Sequence, residues 1–148
     1  MFAATLVAMA FQLLFVHLMT FPFVTKLNPL NYLSHITPAM AMAFASSSSA
    51  ATLPVTMSCV ESTGRVPTTV SNFVLPLGAT INMDGTAIYI PAACVWLAFL
   101  NGHEVNGAQY IILILLGTIG SAGAAPVPSA SLVLILSAYE TVFGGDGG

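Results

Sequence analysis

The stretch LPLGATINMDGTAIY, residues 75–89, decides how this chain folds. It lies within an apolar segment, residues 69–100, that is long enough to cross a membrane as a helix. Polar residues nevertheless interrupt that segment at 82–86. A carboxylate near the bilayer centre costs about 2.5–3.5 kcal/mol, so Asp84 must have a partner there. Together with Gly85, this pattern predicts a helix that is locally unwound around 82–86.

The composition of the whole chain indicates that its solvent is lipid. Of 148 residues, 57% are apolar and 5% are charged, with a formal charge of −3 and a mean hydropathy of +0.93. A soluble domain carries roughly 25% charged residues, so this chain lacks the polar surface that water requires. We therefore predict an all-helical integral membrane protein with room for about four or five membrane segments.

Several classes of protein are disfavoured by the same counts. Two basic residues cannot form a patch that neutralises phosphates, so we expect no nucleic-acid partner. Cys59 and Cys94 lie in apolar surroundings without a metal or redox spacing, which predicts buried free thiols. Residues 2–24 have no basic start, so they predict a full span that ends near Lys26 rather than a cleaved signal peptide. His17, inside that span, is given no role because no second ligand follows it at helical spacing.

Two further apolar segments are broken in their middle. Residues 36–63 are interrupted by SSSSAATLP at 46–54, and residues 109–142 by IGSAGAAPVPSA at 119–130. Each arm of the first has about ten residues, enough to reach only about halfway across a 30 Å hydrocarbon core. We therefore predict two re-entrant hairpins. Pro54 would begin the returning helix of the first. In the second, the glycines at 117, 120 and 123, followed by Pro126 and Pro128, make a continuous helix improbable.

The few charges agree with this topology. If both broken segments are re-entrant, Lys26 and Arg65 lie on one face of the membrane, and Glu104, Glu140 and Asp146 lie on the other. That distribution follows the positive-inside tendency. The terminal stretch FGGDGG, 143–148, is typical of a loop or a truncation.

The broken segments predict a solute site near the membrane midplane. A returning helix presents unpaired N–H groups and the positive end of its dipole, which suit a carboxylate. Helix ends with free carbonyls, together with Asp84 and Asn82, offer the hard oxygen ligands that suit sodium; a proton is the other candidate. Matching interruptions in two hydrophobic segments are typical of transporters built from inverted repeats.

Other interpretations compete with a transporter. Residues 46–49 could form a small-residue patch for helix packing, or contain the serine of an intramembrane protease, although no GxSxG is present. The stronger alternative is a subunit of an ion-conducting pore, because re-entrant backbone also builds selectivity filters.

Three stretches resemble the dicarboxylate/amino acid:cation symporters, the glutamate transporter family. They are SSSSAATLPVTM at 46–57, LPLGATINMDGTAIY at 75–89 and SAGAAPVPSASLV at 121–133. The resemblance covers essentially residues 1–143. It implies a secondary active symporter that moves an acidic or small neutral amino acid, or a dicarboxylate, with sodium or protons by an elevator mechanism. Residues 1–148 would form a partial transport domain with a transmembrane helix (2–24), an inner re-entrant hairpin (36–63), an interrupted transmembrane helix (69–100) and an outer re-entrant hairpin (109–142).

The resemblance also implies roles for individual residues, none of them catalytic. Substrate contacts are implied at Ser48, Ser49, Thr86, Val127 and Pro128. Cation contacts, largely through backbone carbonyls, are implied at Gly78, Thr80, Asn82, Met83, Asp84, Ser121, Ala122 and Ala124. The outer hairpin would be the extracellular gate. The protein is expected in a plasma membrane or a bacterial inner membrane.

The sequence departs from the family pattern at both tips. Ala50 stands where the inner tip usually has a serine, Pro126 replaces a small residue that usually donates an N–H, and Ser131 stands where glycine is usual. The family's final helix, which grips the substrate, is not recognised after Gly148. The scaffold helices that form a homotrimer are also not recognised, so we expect the 148 residues to be an incomplete transport core.

Overall fold

The computed structural model describes residues 1–144, and every regular element in that range is a helix. The predicted all-helical fold class is confirmed. In chain order the elements are α1 (Phe2–Phe11), a π-helical segment (Gln12–His17), α2 (Leu18–Thr25), α3 (Pro29–His35), α4 (Thr37–Ser46), α5 (Ser49–Ser62), α6 (Thr68–Ile81), α7 (Asp84–Leu100), α8 (Gly107–Gly123) and α9 (Ser131–Phe143).

Two helical stretches among the described residues are long and apolar enough to cross a membrane, Phe2–Thr25 and Thr68–Leu100. They coincide with the spans predicted at 2–24 and 69–100. Large apolar side chains remain uncovered on the first stretch, where Phe23 and Val24 are each 82% exposed. A surface of this kind requires lipid or further protein around it.

The first stretch is not a regular α-helix along its whole length. Its π-helical segment places Nδ1 of His17 3.2 Å from the carbonyl oxygen of Gln12. No hydrophobic periodicity predicts this irregularity. The stretch ends as expected at Lys26, whose φ of 56° stops the helix. Asn28 then begins α3, because its side-chain oxygen accepts a hydrogen bond from the Leu30 N–H at 3.0 Å.

The predicted interruption of the 69–100 segment is present but shorter than expected. The gap between α6 and α7 comprises Asn82 and Met83 alone, whereas we predicted unwinding over 82–86. Gly85 and Thr86 instead lie in the first turn of α7, so that part of the prediction is wrong. The physical reason is that Asp84 is the first residue of α7, where the helix dipole favours a negative charge.

The first broken segment is a pair of helices, α4 and α5, joined by a tight turn. Ser47 adopts a left-handed φ of 49°, and the side chain of Ser48 caps α5 by accepting from the Ala51 N–H at 3.3 Å. The predicted start of α5 at Pro54 is wrong, because Pro54 lies inside the helix. The cap supplied by Ser48 starts α5 at Ser49, several residues earlier.

The second broken segment is the helix pair α8 and α9. The predicted break is present, because α8 ends at Gly123 and α9 begins at Ser131. The first arm is longer than expected, however, since α8 continues through Gly117 and Gly120. Tertiary packing overrides the low helix propensity of glycine here. A Cβ on Gly117 would lie 3.0 Å from the carbonyl oxygen of Ala87, so the missing side chain allows α7 and α8 to approach closely. The re-entrant course of both helix pairs remains a prediction.

The described chain divides into two compact units. The first contains Met1–Met9, Ile81–Ala125 and the described residues from Ser129 onward; the second contains Ala10–Thr80 and Pro126–Pro128. The core of the first unit consists of Ile90, Ala93, Cys94, Ala98, Leu113, Ile135, Ala138 and Phe143.

Both cysteines are buried and free, as predicted. The assignment of charges to opposite membrane faces remains a prediction, and the part of it that concerns Asp146 lies outside the described residues.

Candidate functional site

The serine-rich tip of the first helix pair is built around the start of α5. Ser48 serves as its N-cap, and the Ser46 hydroxyl accepts a hydrogen bond from the Ser48 N–H at 3.3 Å. Ser49 is the first residue of the helix and is exposed. The left-handed Ser47 and the capping Ser48 turn the chain between α4 and α5.

A carbonyl group from a distant part of the chain occupies this helix start. The Pro126 carbonyl oxygen accepts a hydrogen bond from the Ala50 N–H at 3.0 Å and another from the Ser48 hydroxyl at 3.1 Å, across 78 positions of sequence. The N-terminus of α5, predicted to receive a carboxylate, is therefore bonded to a backbone acceptor of the protein itself. Sequence reasoning missed this pairing, although it had singled out Ala50 and Pro126 as departures from the family pattern.

The predicted substrate residues are distributed over both units. Ser48, Ser49, Val127 and Pro128 belong to the second unit, and Thr86 to the first. Val127 and Pro128 follow the Pro126 that bonds to Ser48, and both are exposed. The structure thus brings the inner tip together with the start of the predicted outer-tip contacts.

Asp84 and its neighbours form the polar part of the interrupted helix. Asp84 is half-buried, and it follows the non-helical residues Asn82 and Met83 directly. The Met83 carbonyl accepts the Ala87 N–H at 3.0 Å, and the Thr86 hydroxyl lies 3.9 Å from the Met83 sulfur. Carboxylate, amide and hydroxyl oxygens are therefore concentrated within one turn of the chain.

The other predicted cation residues lie at the ends of two helices. Gly78 and Thr80 are in the last turn of α6, where the Thr80 hydroxyl donates to the Leu77 carbonyl at 2.9 Å. At the end of α8, the hydroxyl of buried Ser121 donates to the Thr118 carbonyl at 2.8 Å. Helix C-termini carry the negative end of the dipole, which suits a cation.

The remaining two members of the predicted cation set also lie at the end of α8. The Ala124 N–H donates to the Ser121 carbonyl at 3.4 Å. Ala124 is buried and Ala122 is exposed. Any contact that these alanines make with a cation would use their backbone carbonyls.

Within residues 1–144, no group of three or more His, Cys, Asp or Glu side chains lies together in a metal-binding arrangement. A cation held by the residues above would depend on backbone, hydroxyl and amide oxygens with Asp84 as the anionic ligand. That donor set fits an alkali ion better than a transition metal.

Comparison with known proteins matches residues 1–144 to the model of the sodium:dicarboxylate symporter family. The chain is 40% identical over 129 residues to excitatory amino acid transporter 5 of Homo sapiens, covering 87% of this chain and 23% of that protein. It is 45% identical over 113 residues to excitatory amino acid transporter 2 of Homo sapiens, covering 76% and 20%. It is also 41% identical over 119 residues to excitatory amino acid transporter 1 of Ambystoma tigrinum, covering 80% and 22%.

The chain thus spans about a fifth of the length of the curated relatives it matches. The match confirms the predicted resemblance and the prediction of an integral membrane protein. It also confirms the expectation that the chain is not an enzyme, because the family consists of symporters, for which the family description gives sodium as the coupling ion. The chain is therefore a member of the sodium:dicarboxylate symporter family.

Proposed function

We propose that the complete gene product is a secondary active symporter that couples sodium to the uptake of an acidic amino acid or a dicarboxylate. Small neutral amino acids are a further substrate class to be tested. The observation that carries the proposal is Asp84, an acidic residue at the start of α7 directly after a break in a membrane-length helix. In a family of sodium symporters, such a residue is a natural cation ligand.

The cation would be held mainly by oxygen atoms around the break. Asn82 and Asp84 would supply side-chain oxygens. The last turns of α6 and α8 would supply carbonyl oxygens, since the final carbonyls of a helix have no acceptor role within it. Sodium binding neutralises Asp84 within the membrane, so it lowers the cost of carrying this charge through a low-dielectric region. A proton could neutralise Asp84 in the same way, which is why both ions enter the test below.

The substrate carboxylate would bind at the start of α5. The dipole of α5 and the N–H groups near Ser48 and Ser49 suit an anion. The backbone at Val127 and Pro128 would cover the ligand. Thr86 is a further predicted substrate contact through its hydroxyl. Charged residues that select among substrates would come from sequence outside these 148 residues.

We further propose that transport follows an elevator mechanism within a homotrimer, with trimer contacts made by scaffold helices outside these 148 residues. The exposed apolar side chains of the first helical stretch support this proposal, since they form a surface suited to lipid or to such helices. The described tip residues would then move with the transport domain, and the outer hairpin would gate the extracellular side.

The test is uptake by the complete gene product in proteoliposomes. We expect labelled L-aspartate, L-glutamate or succinate to accumulate when a sodium gradient is imposed, and not with choline in place of sodium. Accumulation driven by a pH gradient without sodium would identify the proton as the coupling ion instead. An ohmic current without any accumulation would overturn the proposal in favour of the pore.

A further inference from the structure

We propose that the groove between the first membrane-length stretch, Phe2–Thr25, and α3 is a binding site for an anionic phospholipid. One acyl chain would lie along the groove, and the headgroup phosphate would lie at Lys26. None of the residues that line this groove belongs to the predicted substrate or cation sets. The proposal therefore does not depend on the proposed transport function, and it needs only that the chain lies in a membrane.

The groove lies within the second compact unit and has a volume of about 440 Å³. Ligand pockets in proteins typically measure about 300–1,000 Å³, so the groove is large enough to hold a ligand. One wall is a face of the helical stretch, and the other is a face of α3. The lining residues recur at helical spacing, with Leu13, His17, Phe21 and Val24 on the first wall and Pro29 and Leu33 on the second.

The walls of the groove present mainly hydrocarbon. The Thr25 hydroxyl donates to the Phe21 carbonyl at 2.7 Å, and the Thr20 hydroxyl donates to the Val16 carbonyl. Both threonines of the lining therefore direct their hydroxyls to the backbone of their own helix. The rings of Phe21 and Tyr32 stack with centroids 5.3 Å apart and so join the two walls. Such a lining favours an apolar occupant, because a polar solute would lose its hydrogen bonds to water there.

The dimensions of the groove fit one acyl chain. Its first wall extends from Leu13 to Thr25, which corresponds to about 18 Å at a rise of 1.5 Å per residue. One leaflet of a bilayer contributes about 15 Å of hydrocarbon, so the groove is about as long as one leaflet is deep. The volume divided by this length gives a mean cross-section of about 24 Å². A methylene chain fits this section, because its carbon atoms contact their neighbours at about 4 Å.

Two observations favour a lipid over a further helix of the protein as the occupant. An α-helix with its side chains is about 10–12 Å in diameter, which is wider than this cross-section permits. The groove is also open along one side, since Val24 in its wall is 82% exposed. An acyl chain of the surrounding bilayer can therefore enter the groove from the side.

Lys26 supplies the charge that selects the headgroup. It directly follows Thr25, the groove residue at the end of the stretch, and it is exposed. Its N–H donates to the Pro22 carbonyl at 2.9 Å, which holds the backbone at this helix end. Lys26 is also the only Asp, Glu, Lys or Arg among residues 1–60. One basic residue near the membrane surface strengthens the binding of an anionic lipid by about fivefold.

The headgroup is tested by lipid binding to the purified, delipidated complete gene product, measured by native mass spectrometry. The probes are phosphatidylglycerol and phosphatidylcholine with the same palmitoyl and oleoyl chains, so that only the headgroup differs. We expect phosphatidylglycerol to bind about fivefold more tightly. Lys26→Gln should remove this preference without weakening the binding of phosphatidylcholine. Arg65→Gln, which removes the other basic residue of this sequence, should keep the preference.

The groove is tested by filling it. Val24→Trp enlarges a side chain in the groove wall, so it should weaken the binding of both lipids by about tenfold or more, as expected when a few methylene groups lose their burial. Val7→Trp is the matched control, because Val7 lies on the same stretch, is 69% exposed and does not line the groove. Leu33→Trp, on the opposite wall, is the second variant should Val24→Trp fail to fold.

Equal binding of the two lipids by the wild-type protein would overturn the proposal, as would an equal loss of preference in Lys26→Gln and Arg65→Gln. Wild-type lipid binding in Val24→Trp or Leu33→Trp would also overturn it, and would indicate that another segment of the gene product covers the groove. Neither readout requires transport, so failure of this proposal and failure of the proposed function give separate results.

Discussion

Gly117 of α8 lies so close to Pro91 of α7 that a Cβ added at Gly117 would be 2.8 Å from the Pro91 Cδ atom. Non-bonded carbon atoms do not approach this closely, and the same Cβ would lie 3.0 Å from the backbone carbonyl oxygen of Ala87. We expect Gly117→Ala to destabilise the protein by about 1–3 kcal/mol, as overpacking usually does. The measurement is the thermal unfolding midpoint in detergent.

Gly107→Ala is the matched control, because a Cβ at Gly107, the first residue of α8, meets no atom within 4 Å. This variant should leave the midpoint unchanged or raise it slightly, since alanine has the higher helix propensity. Equal midpoints for the two variants would show that α7 and α8 do not pack as described.

Ser47 turns the chain between α4 and α5 with a left-handed φ of 49°. A side chain in this conformation costs about 1–2 kcal/mol, and part of that cost is removed when glycine replaces it. Ser47→Gly should therefore stabilise the protein by about 0.5–1 kcal/mol in chemical denaturation. Ser58→Gly, in the interior of α5, should have the opposite sign, because glycine there only lowers helix propensity. Destabilisation by both variants would contradict the assigned turn.

Asn106 begins α8 with a reciprocal capping box. Its side chain accepts the Gln109 N–H at 3.0 Å, and the Gln109 side chain accepts the Asn106 N–H at 2.9 Å. Asn106→Ala should cost about 1 kcal/mol of stability, whereas Asn106→Gly should cost only a few tenths. Both values come from thermal unfolding, and a larger loss for the glycine variant would argue against the cap.

Asp84 should control the response to the coupling ion. Asp84→Asn keeps the shape of the side chain but removes its charge, so we expect the sodium concentration for half-maximal uptake to rise by about tenfold or more. Glu140→Gln, an exposed acid on α9, serves as the charge-matched control and should transport normally. Uptake by Asp84→Asn with the wild-type sodium dependence would remove Asp84 from the cation site.

Much of the helix pattern could be predicted because it depends on local chemistry. The apolar runs around Phe2–Thr25 and Thr68–Leu100 predict membrane-length helices, and the polar residues near Asp84 predict the break between α6 and α7. The predicted helix boundaries were less accurate. For example, α5 was predicted to begin at Pro54 but begins at Ser49. A helix starts where its cap lies, and Ser48 supplies that cap earlier than the proline would.

The candidate site could be predicted only as a set of residue types. Ser48 was expected at the tip, but its bond to Pro126 depends on a residue 78 positions away. No pattern among neighbouring residues predicts a contact over this separation. The sequence shows that Ala50 and Pro126 depart from the family pattern. It does not show that the Ala50 N–H donates to the Pro126 carbonyl.

The sequence by itself determined that this protein lies in lipid, because a chain with 5% charged residues cannot cover a fold with polar surface. It also determined where the membrane-length apolar helices lie. Tertiary structure alone decided that α8 continues through Gly117 and that the Pro126 carbonyl binds at the start of α5. Both outcomes depend on atoms from distant parts of the chain. Propensity acts over neighbouring residues, whereas close packing and hydrogen bonding act over neighbouring atoms, whatever their separation in sequence.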